Sequence, residues 1–430
     1  MFFVSCAFPA IGNRHIEDLG GAFSVVAKCF IVVVFAEVAP NTRILRLAIV
    51  YGANASGKSN LIEAFEFIRS FWFTVRENKD FPTEAVPFLL DKKTPDEPSE
   101  FSLVFFIEGT KYMYSLVIDK KIVFSEKLFI YPGTQPALIF ERKFNDGVSE
   151  INFNPKRVKI SQTAKEEIAV KCLPNMSVMS AYNQVNVVIP EMQSVRKMMR
   201  THFNLSTLET NTELVRYTEK AISKSNLTKN YVLNFLKRAD YNITDVSTEI
   251  IEERIQGIIL QEILNSDTTI SNDERERMIR ERSIKVPVTE FEHRVVNVGG
   301  KEEFFKMPDD RQSKGTIRSF GLAGLIRKTI LENSFLAIDE IESSLHPRLV
   351  EFIIEDFLKQ KGQSQLLLTT HYDGLLEEDD LLRKDSVWFT NKKESGATEL
   401  YSLSDFKGVN RMSSLQKAYK YGKFGAIPNI

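Results

Sequence analysis

The stretch of sequence that decides the fold reads Gly52-Ala53-Asn54-Ala55-Ser56-Gly57-Lys58-Ser59. It follows the pattern G-x-x-x-x-G-K-S, in which glycines let backbone N–H groups converge on phosphate oxygens at the positive end of the following helix. Lys58 is expected to neutralise the β- and γ-phosphates, and the hydroxyl of Ser59 is expected to bind Mg²⁺. The stretch therefore predicts a site for Mg-ATP.

The segments around this loop indicate a mixed α/β fold. Residues 44–51 form an apolar run typical of a buried strand, and residues 59–73 carry apolar side chains at helical spacing. Alternating apolar residues over 100–140 predict an antiparallel meander. Apolar strands at residues 335–338 and 365–369 alternate with helical patterns, which indicates a parallel core.

Polar side chains follow these two late strands. Asp339 and Glu340 end the first strand, where Asp339 would contact Mg²⁺ and Glu340 would orient or polarise the attacking water. His371 follows the second strand, at the crevice where α/β sheets bind ligands. It is expected to sense the γ-phosphate, although a single histidine can equally be an ordinary core or surface residue.

The middle of the chain reads as a mainly helical insertion. Residues 196–238 include nine basic and three acidic residues. Isoleucines form a stripe at helical spacing over residues 249–264. Ser271 and Glu274 have the spacing of a capping box that opens a further helix. A projecting arm and a packed helical subdomain both fit this pattern. We predict an N-terminal lobe (1–183), an insertion (184–285) and a C-terminal lobe (286–430).

Composition narrows the class of protein. The 430 residues carry a net charge of −1, so the whole chain shows no attraction to nucleic acid or membrane. Its three cysteines, Cys6, Cys29 and Cys172, form no CxxC pair, which indicates a reducing cytoplasm. The apolar run 22–38 falls short of the about 20 apolar residues that a membrane span needs and is predicted to be a buried strand.

The order of these motifs resembles the ABC-type ATPase head of SMC- and RecF-like proteins. By resemblance, residues 343–346 are the D-loop, which crosses a dimer interface. Ser313 and Gly315 resemble the signature loop, which in that class caps the γ-phosphate held by the other subunit. The resemblance implies an α/β ABC-type P-loop ATPase head, with an antiparallel meander and a parallel core, split by the insertion. It also implies a homodimer or a larger even-numbered assembly of ATP-sandwiched heads.

A closer resemblance is to the RloA-like (AbiL-type) family of bacterial anti-phage, abortive-infection systems. The residues that carry it are Tyr51 to Asn60, Asp339-Glu340-Ile341-Glu342-Ser343-Ser344-Leu345-His346-Pro347, Thr369-Thr370-His371-Tyr372 and the tail Tyr421-Gly422-Lys423-Phe424-Gly425-Ala426-Ile427-Pro428. The resemblance adds Asn60 to the nucleotide site. It implies a sensor or regulator that controls a separate effector, typically an RloB-like protein with a TOPRIM-type nuclease fold.

Three features depart from that family. Gln312 stands where its signature usually begins with glutamate, and the first 40 or so residues lack its opening strand with an Asn-Phe turn. Gln184 is only a weak candidate for the glutamine that couples the site to the arm.

Two other functional classes have different support in the sequence. A DNA-repair or chromosome-maintenance ATPase would contact DNA directly through the basic residues of 196–238, which could equally form a solvated face or a partner-docking surface. A nucleotide-binding scaffold without turnover is disfavoured by Glu340.

Overall fold

The computed structural model describes residues 3–8, 25–26, 36–39, 42–206, 211–239, 242–255, 257, 260–261, 272–378 and 381–427. The chain forms two compact units. The first combines Met1–Leu208 with Thr329–Ile430, and the second is Glu209–Lys328. The sequence predicted an interruption over residues 184–285. Within the described ranges, no helix has both the length and the apolar character needed to span a membrane.

The described strands and helices are numbered here in chain order. The strands are β1 (Phe3–Phe8), β2 (Val25–Val26), β3 (Ala36–Ala39), β4 (Thr42–Ile44), β5 (Leu47–Gly52), β6 (Ser99–Ile107), β7 (Thr110–Ile118), β8 (Val123–Tyr131), β9 (Ala137–Asn145), β10 (Val148–Phe153), β11 (Phe203–Ser206), β12 (Ile243–Arg254), β13 (Ser283–Val296), β14 (Glu302–Pro308), β15 (Phe335–Ile338), β16 (Gln365–Thr370), β17 (Val387–Lys392) and β18 (Thr398–Ser402). The helices are α1 (Lys58–Phe71), α2 (Gln162–Lys171), α3 (Val178–Tyr182), α4 (Pro190–Thr201), α5 (Asn211–Lys224), α6 (Asn226–Arg238), α7 (Asn272–Glu281), α8 (Lys314–Leu331), α9 (Pro347–Lys359) and α10 (Leu415–Lys420).

A seven-stranded antiparallel sheet in the first unit confirms the predicted meander. Its order is β10-β9-β8-β7-β6-β1-β2. Every second side chain along β6 and β7 is buried, including Leu103, Phe105, Tyr114 and Leu116, because successive side chains of a strand point to opposite faces.

The second sheet of this unit has the order β11-β15-β16-β5-β17-β18. Its first five strands are parallel, and β18 returns antiparallel to β17. Strands β5, β15 and β16 are buried along their whole length, as expected of a parallel sheet covered on both faces. Their carboxyl ends therefore bring Gly52, Ile338 and Thr370 to one edge of the sheet.

Helix α1 packs between these two sheets. Phe65 contacts Phe203 and Phe335, with ring centroids 5.6 and 5.3 Å apart. At the end of the helix, Trp72 meets Tyr114 edge to face at 4.7 Å. All five side chains are buried, so the helix that begins at Lys58 is fixed by apolar packing on both sides.

The second unit corrects one sequence prediction. The isoleucine stripe over 249–264 predicted a helix, but residues 249–254 belong to β12, which pairs antiparallel with β13 in the sheet β12-β13-β14. β-Branched side chains suit a pleated surface, and here the long pairing with β13 outweighs the local helical spacing. The helix that the capping box predicted is present as α7. Elsewhere in this unit, Phe291 of β13 packs edge to face on Phe320 of α8, with ring centroids 5.3 Å apart.

The basic stretch 196–238 does not form one helix. It is divided among the end of α4, strand β11 and helices α5 and α6. Its first part lies in the first unit and the rest in the second.

The N-terminal segment also differs from expectation. Although the sequence lacks the family's opening pattern, Phe3–Phe8 forms strand β1, antiparallel to β6; its aromatic and β-branched residues favour a strand. The apolar run 22–38 was predicted to be one buried strand. Its ends contribute β2 and β3, and its centre, residues 27–35, lies outside the described residues.

Candidate functional site

The loop between β5 and α1 has the backbone shape that its glycines predict. Ala55 and Gly57 have positive φ angles of 59° and 99°. A Cβ atom on Gly57 would lie 2.2 Å from Thr398 Oγ1, and one on Gly52 would lie 2.2 Å from Thr390 Oγ1. Both glycines are therefore required by close packing, and at Gly57 the left-handed backbone adds to the requirement.

Two threonines that the sequence did not reveal as site residues form hydrogen bonds with Ser56 of this loop. Thr390 Oγ1 lies 2.7 Å from Ser56 Oγ, and the Thr398 hydroxyl donates to the Ser56 carbonyl at 2.9 Å. They come from β17 and β18, more than 300 residues away in sequence, and are placed by the pairing of β17 with β5. No local pattern in the sequence could have identified them.

Lys58 begins α1, and its ammonium group is held inside the loop. Nζ donates to the carbonyls of Gly52 at 2.9 Å and Ala53 at 3.1 Å. Burial lowers the pKa of Lys58, and the charges of three nearby carboxylates oppose this effect without cancelling it. These carboxylates are Glu340, Asp339 and Glu342. The predicted phosphate lysine therefore lies in the electrostatic field of the predicted pair Asp339 and Glu340 and of a third carboxylate, Glu342.

Thr369 of β16 holds the acidic end of β15. Its hydroxyl donates to Asp339 Oδ1 and accepts from the backbone N–H of Glu340 at 2.8 Å. Glu340 has a φ of 44°, a left-handed conformation that is uncommon for residues other than glycine. The turn thus directs two successive carboxylates differently: Asp339 is buried, whereas the side chain of Glu340 is 39% exposed.

His371 lies beside Glu340 at this edge of the sheet. Its Nε2 atom is 3.8 Å from Glu340 Oε1, and 36% of its side chain is exposed. The two groups are thus neighbours that solvent can reach.

Glu342 was not among the predicted site residues. Its carboxylate accepts hydrogen bonds from the Thr370 hydroxyl and from the backbone N–H of His371. The signal that could have identified it is the third acid in Asp339-Glu340-Ile341-Glu342.

The segment after Glu342 leads into α9. Ser344 has a φ of 60°, and His346 Nδ1 accepts from the Arg348 N–H at 3.3 Å, which caps the helix. Pro347 occupies the first turn, where its missing N–H costs nothing. Residues 343–346 therefore form a tight, capped turn directly after the acidic cluster.

The predicted signature residues lie in the second unit. Ser313 is exposed, and its hydroxyl accepts from the Thr316 N–H at 3.0 Å, so it caps α8. Gly315 lies in the first turn of that helix. Gln312 is within 3.1 Å of His293 Nε2 through its side-chain oxygen.

The remaining predicted contact residues of the loop and of the start of α1 are accessible to solvent. Asn54, Ala55 and Asn60 are exposed, and Ser59 is partly exposed. In the described part of the chain, no three His, Cys, Asp or Glu side chains form a metal-binding group. A Ser hydroxyl and one Asp carboxylate are instead the hard oxygen ligands that Mg²⁺ takes together with phosphate oxygens and water. Gln184, the weak coupling candidate, is half-buried and donates to Ser180 O at 3.4 Å.

A glycine-rich loop between a parallel strand and a helix, with acidic residues at the end of another parallel strand of the same sheet, defines the P-loop class of nucleotide-binding proteins. Within that class, the chain belongs to the family described as "AAA domain, putative AbiEii toxin, Type IV TA system", which matches residues 47–166 and 201–377. No curated protein matches the chain by sequence.

Solved structures that match the chain include heads of SMC proteins. The SMC head domain from Thermotoga maritima is 12% identical, with a TM-score of 0.38, and the match covers 83% of this chain and 90% of that one. An Smc head domain with an extended coiled coil, bound to the C-terminal domain of ScpA derived from Pyrococcus furiosus, is 13% identical, with a TM-score of 0.38. That match covers 89% of this chain and 94% of the other.

Proposed function

We propose that this chain binds Mg-ATP on residues 52–60 and hydrolyses it with Glu340. The observation that carries the proposal is the parallel pairing of β5, β16 and β15, which places the loop of Lys58 and the carboxylates after β15 at one edge of the sheet. The charges of these carboxylates act on the Lys58 ammonium there. A buried ammonium at the start of a helix suits phosphate oxygens, and a neighbouring, partly exposed carboxylate suits the attacking water.

The loop and the acidic edge fit the substrate and its metal ion. Lys58 Nζ has loop carbonyls as partners, which a γ-phosphate can replace. Ser59 and Asp339 are the proposed metal ligands, and Mg²⁺ would neutralise charge on the phosphates. The buried hydrogen bond from Thr369 keeps Asp339 in place.

Glu340 is proposed to accept the proton of the attacking water. The water oxygen bonds to the γ-phosphorus, the bond to the β,γ-bridging oxygen breaks, and the water proton passes to the carboxylate. His371 is proposed to hydrogen-bond the γ-phosphate beside it. The 3.8 Å between their side chains supports this assignment, since both groups can then reach one reacting centre.

Glu340→Gln tests this proposal most directly. We expect the ATP turnover rate to fall by about 100-fold or more, with ATP affinity retained, because the amide keeps the shape of the carboxylate but accepts no proton. Glu355→Gln, an exposed change on α9, is the matched control. An unchanged turnover rate in Glu340→Gln would refute the role of Glu340 as the base.

The proposal extends to paired heads and to a partner. Ser313 and Gly315, at the start of α8, are proposed to cap the γ-phosphate of a second subunit, which requires an even-numbered assembly. The family description names a putative toxin of a type IV toxin–antitoxin system, which supports a link to such systems. For this chain, the proposed role is that of a sensor or regulator of anti-phage defence. Its effector is proposed to be a separate protein, a nuclease with a TOPRIM-type fold.

The native mass of Glu340→Gln protein, purified from its own host with Mg-ATP, tests this extension. We expect an even-numbered assembly with a second co-purifying polypeptide, and a smaller species without nucleotide. A monomer under both conditions would contradict the paired-head mechanism.

A further inference from the structure

Glu342 holds two consecutive residues of the neighbouring strand end. Oε2 accepts from the Thr370 hydroxyl at 2.7 Å, and Oε1 accepts from the backbone N–H of His371. Thr370 is buried and is the last residue of β16. The turn after β15 is thus joined to the end of β16 by a carboxylate that uses both of its oxygens.

The backbone on the other side of His371 is also held. Thr370 Oγ1 accepts from the Tyr372 N–H at 3.0 Å, and the Tyr372 hydroxyl donates to Glu351 Oε1 at 2.6 Å. Hydrogen bonds therefore fix the main chain before, at and after His371. Its imidazole remains partly exposed and 3.8 Å from Glu340.

We propose that Glu342 is a positioning residue that holds His371 beside Glu340 through its hydrogen bonds to Thr370 and the His371 N–H. This inference rests on the proposed function, in which His371 and Glu340 act on one phosphate. Loss of a hydrogen bond that holds a functional side chain in one geometry can lower activity by about tenfold or more, as is known for the supports of metal ligands. The carboxylate accepts one hydrogen bond at each oxygen. Glutamine keeps the bond from the His371 N–H through its single oxygen, and its amide can donate to Thr370 Oγ1, so the contact survives with one bond reversed.

Three variants separate this role from one that depends on charge. We expect Glu342→Ala to lower the turnover rate about tenfold at unchanged ATP affinity, and Glu342→Gln to remain within about threefold of the wild type. Thr370→Val should resemble Glu342→Ala, whereas Thr370→Ser keeps the hydroxyl and should resemble the wild type. Glutamine as damaging as alanine would overturn the proposal, because a metal ligand, a base or a charge acting on Lys58 requires the carboxylate.

A double-mutant cycle tests whether Glu342 acts through His371. In a His371→Ala background, Glu342→Ala should reduce the turnover rate by no more than about twofold. A further tenfold loss in that background would show that Glu342 acts by another route and would overturn the inference. Glu355→Gln, which removes an exposed acidic side chain of α9 away from this contact, again serves as the control.

Amide hydrogen exchange gives a reading that needs no turnover. In nucleotide-free protein, Glu342→Ala should speed exchange at His371 about tenfold and leave Leu367 and Leu368, inside β16, unchanged. If the wild type shows no turnover that depends on Glu340, the proposed function fails, and faster exchange at His371 still supports the positioning contact. If turnover does depend on Glu340 but both exchange and rate are unaffected in Glu342→Ala, only this inference fails.

Discussion

Two glutamates of the first unit have opposite surroundings. Glu126 is fully buried between β7 and β9, where it accepts from the Tyr114 hydroxyl at 3.0 Å and the Val178 N–H at 2.8 Å. Arg142, also fully buried, approaches it at 3.7 Å and donates to the backbone carbonyls of 173, 174 and 176. We refer to Tyr114, Glu126 and Arg142 as the Glu126 cluster.

Glu340 lies at an exposed edge instead. Its backbone has a positive φ, its side chain is 39% exposed, and the imidazole of His371 is 3.8 Å away. Backbone strain of this kind costs roughly 1–3 kcal/mol and tends to occur at functional sites. The comparison teaches that a carboxylate enclosed by internal donors holds the fold together, whereas one that solvent reaches is available to a reactant.

The largest expected effect comes from removing the enclosed carboxylate. Glu126→Ala leaves a buried guanidinium without its counter-charge and two buried donors without their acceptor. We expect a loss of about 3–5 kcal/mol in the free energy of unfolding of the first unit. Urea unfolding, followed by the fluorescence of the buried Trp72 and Trp388, measures it.

Glu340→Ala is the matched control for this comparison. Because its side chain is partly exposed, we expect a change in unfolding free energy within about 0.5 kcal/mol. Equal destabilisation by the two substitutions would contradict the division into a structural and a reactive carboxylate.

Local patterns predicted the parts of the site that consecutive residues encode. The loop glycines, Lys58 and the pair Asp339-Glu340 stand in short motifs, and each motif lies at the end of a strand that its apolar run predicted. Since carboxyl ends of parallel strands meet at one edge, the sequence also predicted that these motifs would come together.

Long-range contacts set the rest, and the sequence could not supply them. Thr390 and Thr398 reach the loop only through the pairing of β17 with β5, and residues 249–254 became a strand only through pairing with β13. The isoleucine stripe there is compatible with helix and strand alike, because apolar spacing in a short segment does not distinguish them. Arg142 and Glu126, 16 residues apart on neighbouring strands, were likewise not recognised as a pair.

The buried thiol of Cys172 reports on the surroundings of the Glu126 cluster. Its reactivity gives a second, smaller test of the comparison between Glu126 and Glu340. Burial raises the pKa of Cys172 to about 12 from an ordinary 9.0, so its thiolate fraction near pH 8 is far lower than that of an exposed thiol, on the order of a thousandfold. We expect native protein with Cys6 and Cys29 replaced by serine to react with a thiol reagent about a thousandfold more slowly than the same protein in urea. The native rate should rise with pH, because deprotonation creates the nucleophile.

Glu126→Ala links this measurement to the first. Opening of the cluster should speed labelling of Cys172, while Glu340→Ala should leave it unchanged. Fast labelling of the wild type near neutral pH would show that solvent reaches the region and would remove the contrast between the two glutamates.

The smallest expected effect concerns Gly57, in the loop between β5 and α1. Gly57→Ala places a Cβ 2.2 Å from Thr398 Oγ1 at a φ of 99°. A left-handed backbone alone costs an L-residue roughly 1–2 kcal/mol, so we expect ATP affinity, measured by calorimetry, to fall by about tenfold or more. Gly408→Ala is the control, because Gly408 has a φ of 80° with no atom within 4 Å of the added Cβ. It should leave ATP affinity unchanged.

Thr398→Ala combined with Gly57→Ala relieves the clash but not the strain, and should recover part of the lost affinity. No recovery would assign the whole effect to the backbone.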